Sequence, residues 1–160
     1  MFKLYKCDED GRPVAYHEAW VDQRSRQIVE HWGMLGTRGD TATRRIKLLK
    51  SLEAQFDTIL GPARELGFTE LEDSAFQSLI VEYKLGEAWT RDDHDKHAAL
   101  EDALTEVLGW TGLGAPDGVN TGEHVLEACC RVVDVDLART AIIDALADTE
   151  FSDYSRFYQE

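Results

Sequence analysis

The sequence predicts an α+β fold, an antiparallel sheet packed by one main helix and then a small sandwich of alternating strands and helices. Three observations carry this reading. Strand-forming runs crowd residues 2–32 before any helical repeat begins. From residue 76 onward, strand-forming and helix-forming runs alternate. The charge also changes between the halves: residues 1–73 hold 11 Lys/Arg against 13 Asp/Glu, whereas residues 74–160 hold 6 against 18. A net charge of -14 is therefore concentrated in the second half. Two modules follow, residues 1–72 and 73–160, joined through the polar stretch Thr69 to Ala75.

The elements are expected in this order. Phe2-Lys3-Leu4-Tyr5 opens a strand, Ala15 to Val21 forms a second, and Gln27 to Trp32 a third. Residues 41–60 read as an amphipathic helix, because Ile46, Leu49, Leu52, Phe56, Ile59 and Leu60 recur every three or four positions. Asp40 or Thr41 would cap it, and Gly61-Pro62 would stop it, with a short turn resuming at Ala63 to Leu66. Phe76 to Leu85 is a strand. Asp92 or Asp93 caps a helix over 94–108, and Gly109 to Gly122 reads as turns. Val125 to Val133 is a strand, Asp134 caps a helix over 136–147, and Phe151 to Tyr158 is the last strand. Strand, helix, strand, helix, strand in this half gives a sandwich of ferredoxin-like type.

Composition excludes several classes. With 43% hydrophobic and 30% charged residues the chain has the makings of a globular core. No apolar run is long enough to span a bilayer, so no membrane partner is expected. The N-terminus reads as strand rather than as a secretion signal. Cys7, Cys129 and Cys130 show no disulfide or zinc spacing, which points to a cytoplasmic protein with reduced thiols.

The motif of greatest interest is His31-Trp32-Gly33-Met34-Leu35-Gly36-Thr37-Arg38-Gly39-Asp40. Glycines let the backbone turn and let another surface approach. These residues resemble the signature of the WGR domain family, named for Trp-Gly-Arg, and the resemblance extends over residues 1–72. It implies a sheet packed by a helix, with Phe56 as the packing phenylalanine and Leu66-Gly67-Phe68 closing the pattern. It also implies recognition of nucleic acid or a partner domain through the tryptophan and the arginine. Here Met34 replaces that arginine, and Arg38 lies four residues on. The second half resembles small bacterial ferredoxin-like domains of poorly known role through Thr111-Gly112-Leu113-Gly114, Asp117-Gly118 and Gly122-Glu123, a likeness that implies fold and no chemistry.

The expected function is non-catalytic recognition of a macromolecular partner, a protein, as an accessory or regulatory factor. The binding residues expected are Trp32, Gly33, Gly36, Arg38, Gly39, Arg44 and Lys47. Trp32 supplies an aromatic surface. The basic residues from Arg24 to Lys50 number seven against two acids, so an anionic or acidic partner would meet them there. Nucleic-acid ends are the alternative, opposed by Met34 and the net charge. Small-molecule sensing by the ferredoxin-like half is a second alternative. No nucleophile–base pair or cofactor loop stands out, so neither catalysis nor a cofactor is expected. Asp92 to His97 holds metal-ligand residue types but reads as a capped helix start, and no metal is expected. Cys129 and Cys130 are adjacent on a strand, so they point to opposite faces and at least one belongs to the core.

Overall fold

Four consecutive strands form the first sheet in the order β1-β2-β3-β4, every neighbour antiparallel: β1 (Phe2–Cys7), β2 (Pro13–Asp22), β3 (Gln27–Met34) and β4 (Asp40–Arg45). The computed structural model describes residues 1–85, 91–122 and 124–159, and of residues 91–95 the backbone alone. The chain divides into two compact units, Met1–Glu72 and Asp73–Glu160. Each has its own sheet.

The helix of the first unit, α1 (Leu52–Glu65), covers one sheet face. Phe56, Ile59, Leu60 and Ala63 pack there against Leu4, Ala19 and Ile28, with Phe2, Val21, Ile46 and Phe68 at the margins. The expectation of a helix over 41–60 fails at its start. Residues 40–45 pair with β3 instead, from Trp32↔Asp40 to Gln27↔Arg45. Thr41 and Thr43 are β-branched and alternate, which suits a strand. The helical repeat misled because Leu49 is apolar yet lies outside, 101% exposed, beside Leu48 at 96%. The cap is therefore Ser51, whose hydroxyl accepts from Ala54 N–H, rather than Asp40 or Thr41. Gln55 holds the preceding turn: its side chain accepts from Lys47 N–H at 2.7 Å and donates to the carbonyls of Lys47 and Lys50.

Pro62 does not stop the helix. It lies in the last turn, where one lost backbone bond is tolerated while Ala63, 2% exposed, stays in the core. The end comes at Gly67, at φ +90°, with Gly67 N–H on the Arg64 carbonyl and Phe68 N–H on the Ala63 carbonyl. That is a Schellman closure. The chain then returns to β1, where Tyr5 and Thr69 exchange two backbone hydrogen bonds.

The second unit runs β5 (Gln77–Lys84), α2 (Arg91–Trp110), β6 (Gly114–Thr121), β7 (Val125–Val132), α3 (Val135–Leu146) and β8 (Arg156–Tyr158). Its sheet order is β6-β7-β5-β8, all antiparallel. Two interlocked strand–helix–strand units give this order, with β7 between β5 and β6 and β5 between β7 and β8. Leu100, Leu104 and Leu108 on α2, and Ala138, Ile142 and Leu146 on α3, recur every four residues and are buried. They meet the face carrying Leu79, Val81, Leu126, Ala128 and Cys130. Asp134 caps α3 by accepting from Leu137 N–H. The caps expected at Asp92 or Asp93 lie outside the described side chains.

Two elements of this unit differ from expectation. Residues 114–121, read as turns, form β6. A register shift between Pro116 and Val119 takes up Asp117-Gly118, so a bulge lets proline and glycine sit in an edge strand. The last strand is only Arg156–Tyr158, because Phe151 turns inward first and is 7% exposed. As expected for a strand, Cys130 faces the core and Cys129 the other side. Burial pushes the Cys130 thiol up to about 12, so it stays protonated and unreactive at neutral pH. No described helix is long and apolar enough to cross a membrane.

The tyrosines make the fold sensitive to strong base. Burial, then the charges of Glu18 and Asp40, push Tyr16 up to about 12. The hydrogen bond to Glu127 is the chief cause that pushes Tyr158 to about 12. Tyr5 and Tyr83 are also raised, mainly by burial. The unfolded chain loses these protons near the ordinary value of 10.0, so between there and about 12 it binds fewer protons than the folded chain. The tyrosines' contribution to stability is therefore full below pH 10 and is lost as pH rises through that window. The urea midpoint should drop across it, with tyrosinate absorbance appearing together with unfolding. Full tyrosinate absorbance near pH 10 in a folded chain would refute the assignment.

Candidate recognition site

β3 sends alternate side chains to opposite faces, and the expected site divides accordingly. Trp32 shares the α1 side with Glu30 and Arg44 through its register with β4. It is half-buried, with its ring 5.8 Å from His17. His17 Nε2 lies 2.9 Å from Glu30 Oε1, and Arg44 donates to Glu30 Oε2 at 2.6 Å. The Phe68 ring meets His17 edge-on. Arg44 is thus engaged by a buried carboxylate, although its side chain remains 54% exposed. A charge-assisted bond of this kind fixes the guanidinium in place.

The glycines belong to the other face, and their role is local. Gly36 and Gly39 adopt φ +83° and +63°, conformations that turn the chain back after β3. A Cβ on Gly39 would lie 2.1 Å from the Trp32 carbonyl oxygen, and one on Gly33 would lie 2.8 Å from Gly39 Cα. Leu35 N–H donates to the Val14 carbonyl, Thr37 N–H to the Met34 carbonyl. The turn so formed carries the carbonyls of Thr37 and Arg38 over a buried polar group. Tyr16 donates to Thr37 O at 2.9 Å, and His31 Nε2 lies 2.6 Å from Arg38 O. Arg38 itself is exposed.

That buried group is the feature the sequence did not disclose. Glu18 faces His31 across β2 and β3, with Glu18 Oε1 2.8 Å from His31 Nδ1. Lys3 reaches Glu18 Oε2 at 3.2 Å, and Tyr16 Oη lies 2.9 Å from His31 Nε2. Tyr16 and His31 are 0% and 1% exposed, so this network is closed to a ligand. It organises the sheet and the turn. Alternation offered one signal for it: Tyr16 and Glu18 on one strand, His31 and Gly33 on the next. The pairing register was needed to join them.

The basic residues form the accessible surface. They do not line a helix, as expected, but run from the end of β4 into the following turn: Arg44, Arg45, Lys47 and Lys50. β4 is the sheet edge, and among the described residues no strand pairs its outer side. A concavity of about 490 Å³ lies against Arg26, Arg45, Ile46 and Leu48. A smaller one of about 70 Å³ lies beside Lys47, Lys50 and Gln55. Leu48 and Leu49 stand fully exposed between these cations. The structure therefore joins Arg44 and Lys47 of the expected site along one edge and adds Arg45, Lys50 and the two leucines. It assigns Gly36 and Gly39 to the turn and Gly33 to β3, where it packs against Gly39 and Tyr16. Of the metal-ligand types at Asp92 to His97, the side chains of Asp92, Asp93, His94 and Asp95 lie outside the described residues. Among the described residues no three His, Cys, Asp or Glu side chains converge as a metal site would require. No protein-family model, curated protein or solved structure matches the chain.

Proposed function

We propose that the first unit is a non-catalytic recognition module that binds an acidic, extended segment of a protein partner along β4. The open basic edge carries this reading. An unpaired edge offers backbone donors and acceptors to an added strand, which supplies affinity without demanding one sequence. Arg45, Lys47 and Lys50 select the sign of the partner's charge. Like charges oppose edge-to-edge pairing of two copies, so the edge is guarded against self-association yet open to an acidic strand. Leu48 and Leu49 favour protein over nucleic acid, since a phosphate backbone has no use for exposed leucines. Met34, in place of the WGR-type arginine, favours protein as well. The resemblance of residues 1–72 to WGR domains supports recognition as the class of function, with the chain as an accessory or regulatory factor. The three cysteines among the described residues are free, which suits a reducing cytoplasm.

The test is a titration of the full chain with a short peptide of alternating Glu and Val, followed by backbone amide NMR. Saturating shifts confined to residues 40–50 are expected. Arg45→Glu and Lys47→Glu should each weaken binding about tenfold, about 1.4 kcal/mol. A Lys/Val peptide should not bind. Tight, steeply salt-dependent binding of duplex DNA by the same residues, without binding of the acidic peptide, would overturn the protein reading.

A further inference from the structure

The second unit contains a cavity of about 160 Å³ between β5, β7 and α2, with Leu100 and Leu126 in its wall. Both leucines are nearly fully buried, so that wall is apolar. Its rim is polar. Lys96 is fully engaged: its ammonium lies 2.9 Å from both oxygens of Asp153 and over the Tyr83 ring. Two groups are not engaged. His97 Nε2 is buried without a hydrogen-bond partner among the described residues. Lys84 lines the same cavity with no ion pair among the described residues. A buried imidazole nitrogen without a partner is costly, by the desolvation of a polar atom that gets nothing in return. Such orphans concentrate where a ligand or ordered water completes them.

Charge identifies the ligand class. Residues 74–160 carry only six cations against 18 acids, yet among the described residues Lys84 and Lys96 line this one cavity with a single carboxylate, Asp153. With Lys96 paired to Asp153, Lys84 leaves the described rim with an excess positive charge in an acidic half. The apolar wall opposes a fully hydrated multivalent ion and accepts hydrocarbon. The volume holds the equivalent of about five waters, at roughly 30 Å³ each, enough for a short chain. We propose that this cavity binds a small aliphatic carboxylate, its oxygens on His97 Nε2–H and the Lys84 ammonium and its tail against Leu100 and Leu126. This site is independent of the β4 edge and of the reading drawn from it.

The test uses the full chain, labelled for NMR and titrated with butyrate in the millimolar range, where few-contact ligands bind. Saturating shifts are expected at the His97 imidazole and the Leu100 and Leu126 methyls, with little change in residues 1–72. Acetate should bind more weakly, for want of a tail, and n-butylamine not at all. Lys84→Ala, at an exposed position, should weaken butyrate about tenfold while leaving the spectrum of the free protein folded. His97→Phe should abolish the saturating shifts. Sodium chloride giving the same shifts as butyrate would overturn the proposal, as would shifts that never saturate or that Lys84→Ala leaves unchanged. Inorganic phosphate binding as tightly as butyrate would overturn the carboxylate assignment, because the apolar wall would then contribute nothing.

Discussion

Replacing Gly39 by alanine is expected to destabilise the first unit by about 3 kcal/mol, far more than the same change at Gly11. Both glycines sit at positive φ, +63° and +80°, so both variants bear the left-handed strain of an L-residue, about 1–2 kcal/mol. Around Gly11 there is nothing within 4 Å of an added Cβ, so strain is the whole cost. At Gly39 the new carbon would lie 2.1 Å from the Trp32 carbonyl and 2.6 Å from Tyr16 Oη. The first is backbone paired with β4 through Trp32↔Asp40, so it cannot yield without opening the ladder. The second is held by His31 and the Thr37 carbonyl. Urea unfolding of the two variants gives the comparison, with an unchanged slope showing that the denatured state is the same. Equal losses at Gly11 and Gly39 would show that the turn has room to move, and the account of Gly39 as a closure residue would fail.

The contrast explains how far the chain could be read from its letters. The first three strands were legible because their β-branched and aromatic residues recur without a competing period. The end of α1 was less so. Pro62 is a strong stop signal, but the burial of Ala63 outweighs one missing hydrogen bond. β4 was illegible for a specific reason. Ile46, Leu49 and Leu52 extend the apolar spacing of Phe56, Ile59 and Leu60 backward, and periodicity alone cannot tell an exposed leucine from a buried one. What starts the helix after Ser51 rather than at residue 41 is the Gln55 side chain occupying the backbone of Lys47 and Lys50, a contact that spacing does not disclose. β6 was hidden by its glycines and proline, which an edge strand tolerates at a bulge. Of the expected site, the cations of β4 were visible as a charge cluster but not as a sheet edge. His97 stood out only as one of the metal-ligand types from Asp92 to His97, and its cavity depends on Leu126 of β7 as well as its own helix.

Glu18→Ala is expected to cost about 3–5 kcal/mol, the cost of breaking a buried charge pair from one side. Glu18 is 4% exposed and serves two partners, Lys3 at 3.2 Å and His31 at 2.8 Å. Alanine leaves both donors without their acceptor beneath the 35–39 turn. Relief is unequal. The Lys3 side chain is 16% exposed and can swing its ammonium toward water, whereas His31 is 1% exposed and fixed by Tyr16 and the Arg38 carbonyl. Most of the loss should therefore be charged to His31. Two further variants separate the parts. Glu18→Gln keeps an amide oxygen for His31 Nδ1–H and loses only the charge, so it should cost less than half as much as alanine. Lys3→Met keeps the Glu18–His31 contact and should cost about 1 kcal/mol. In a double-mutant cycle, Lys3→Met with Glu18→Gln should couple by no more than about 1 kcal/mol, since the exposed end of the network is the weak one. If Glu18→Ala cost no more than Lys3→Met, the network would be incidental to the fold. The turn carrying Arg38 would then rest on its glycines alone.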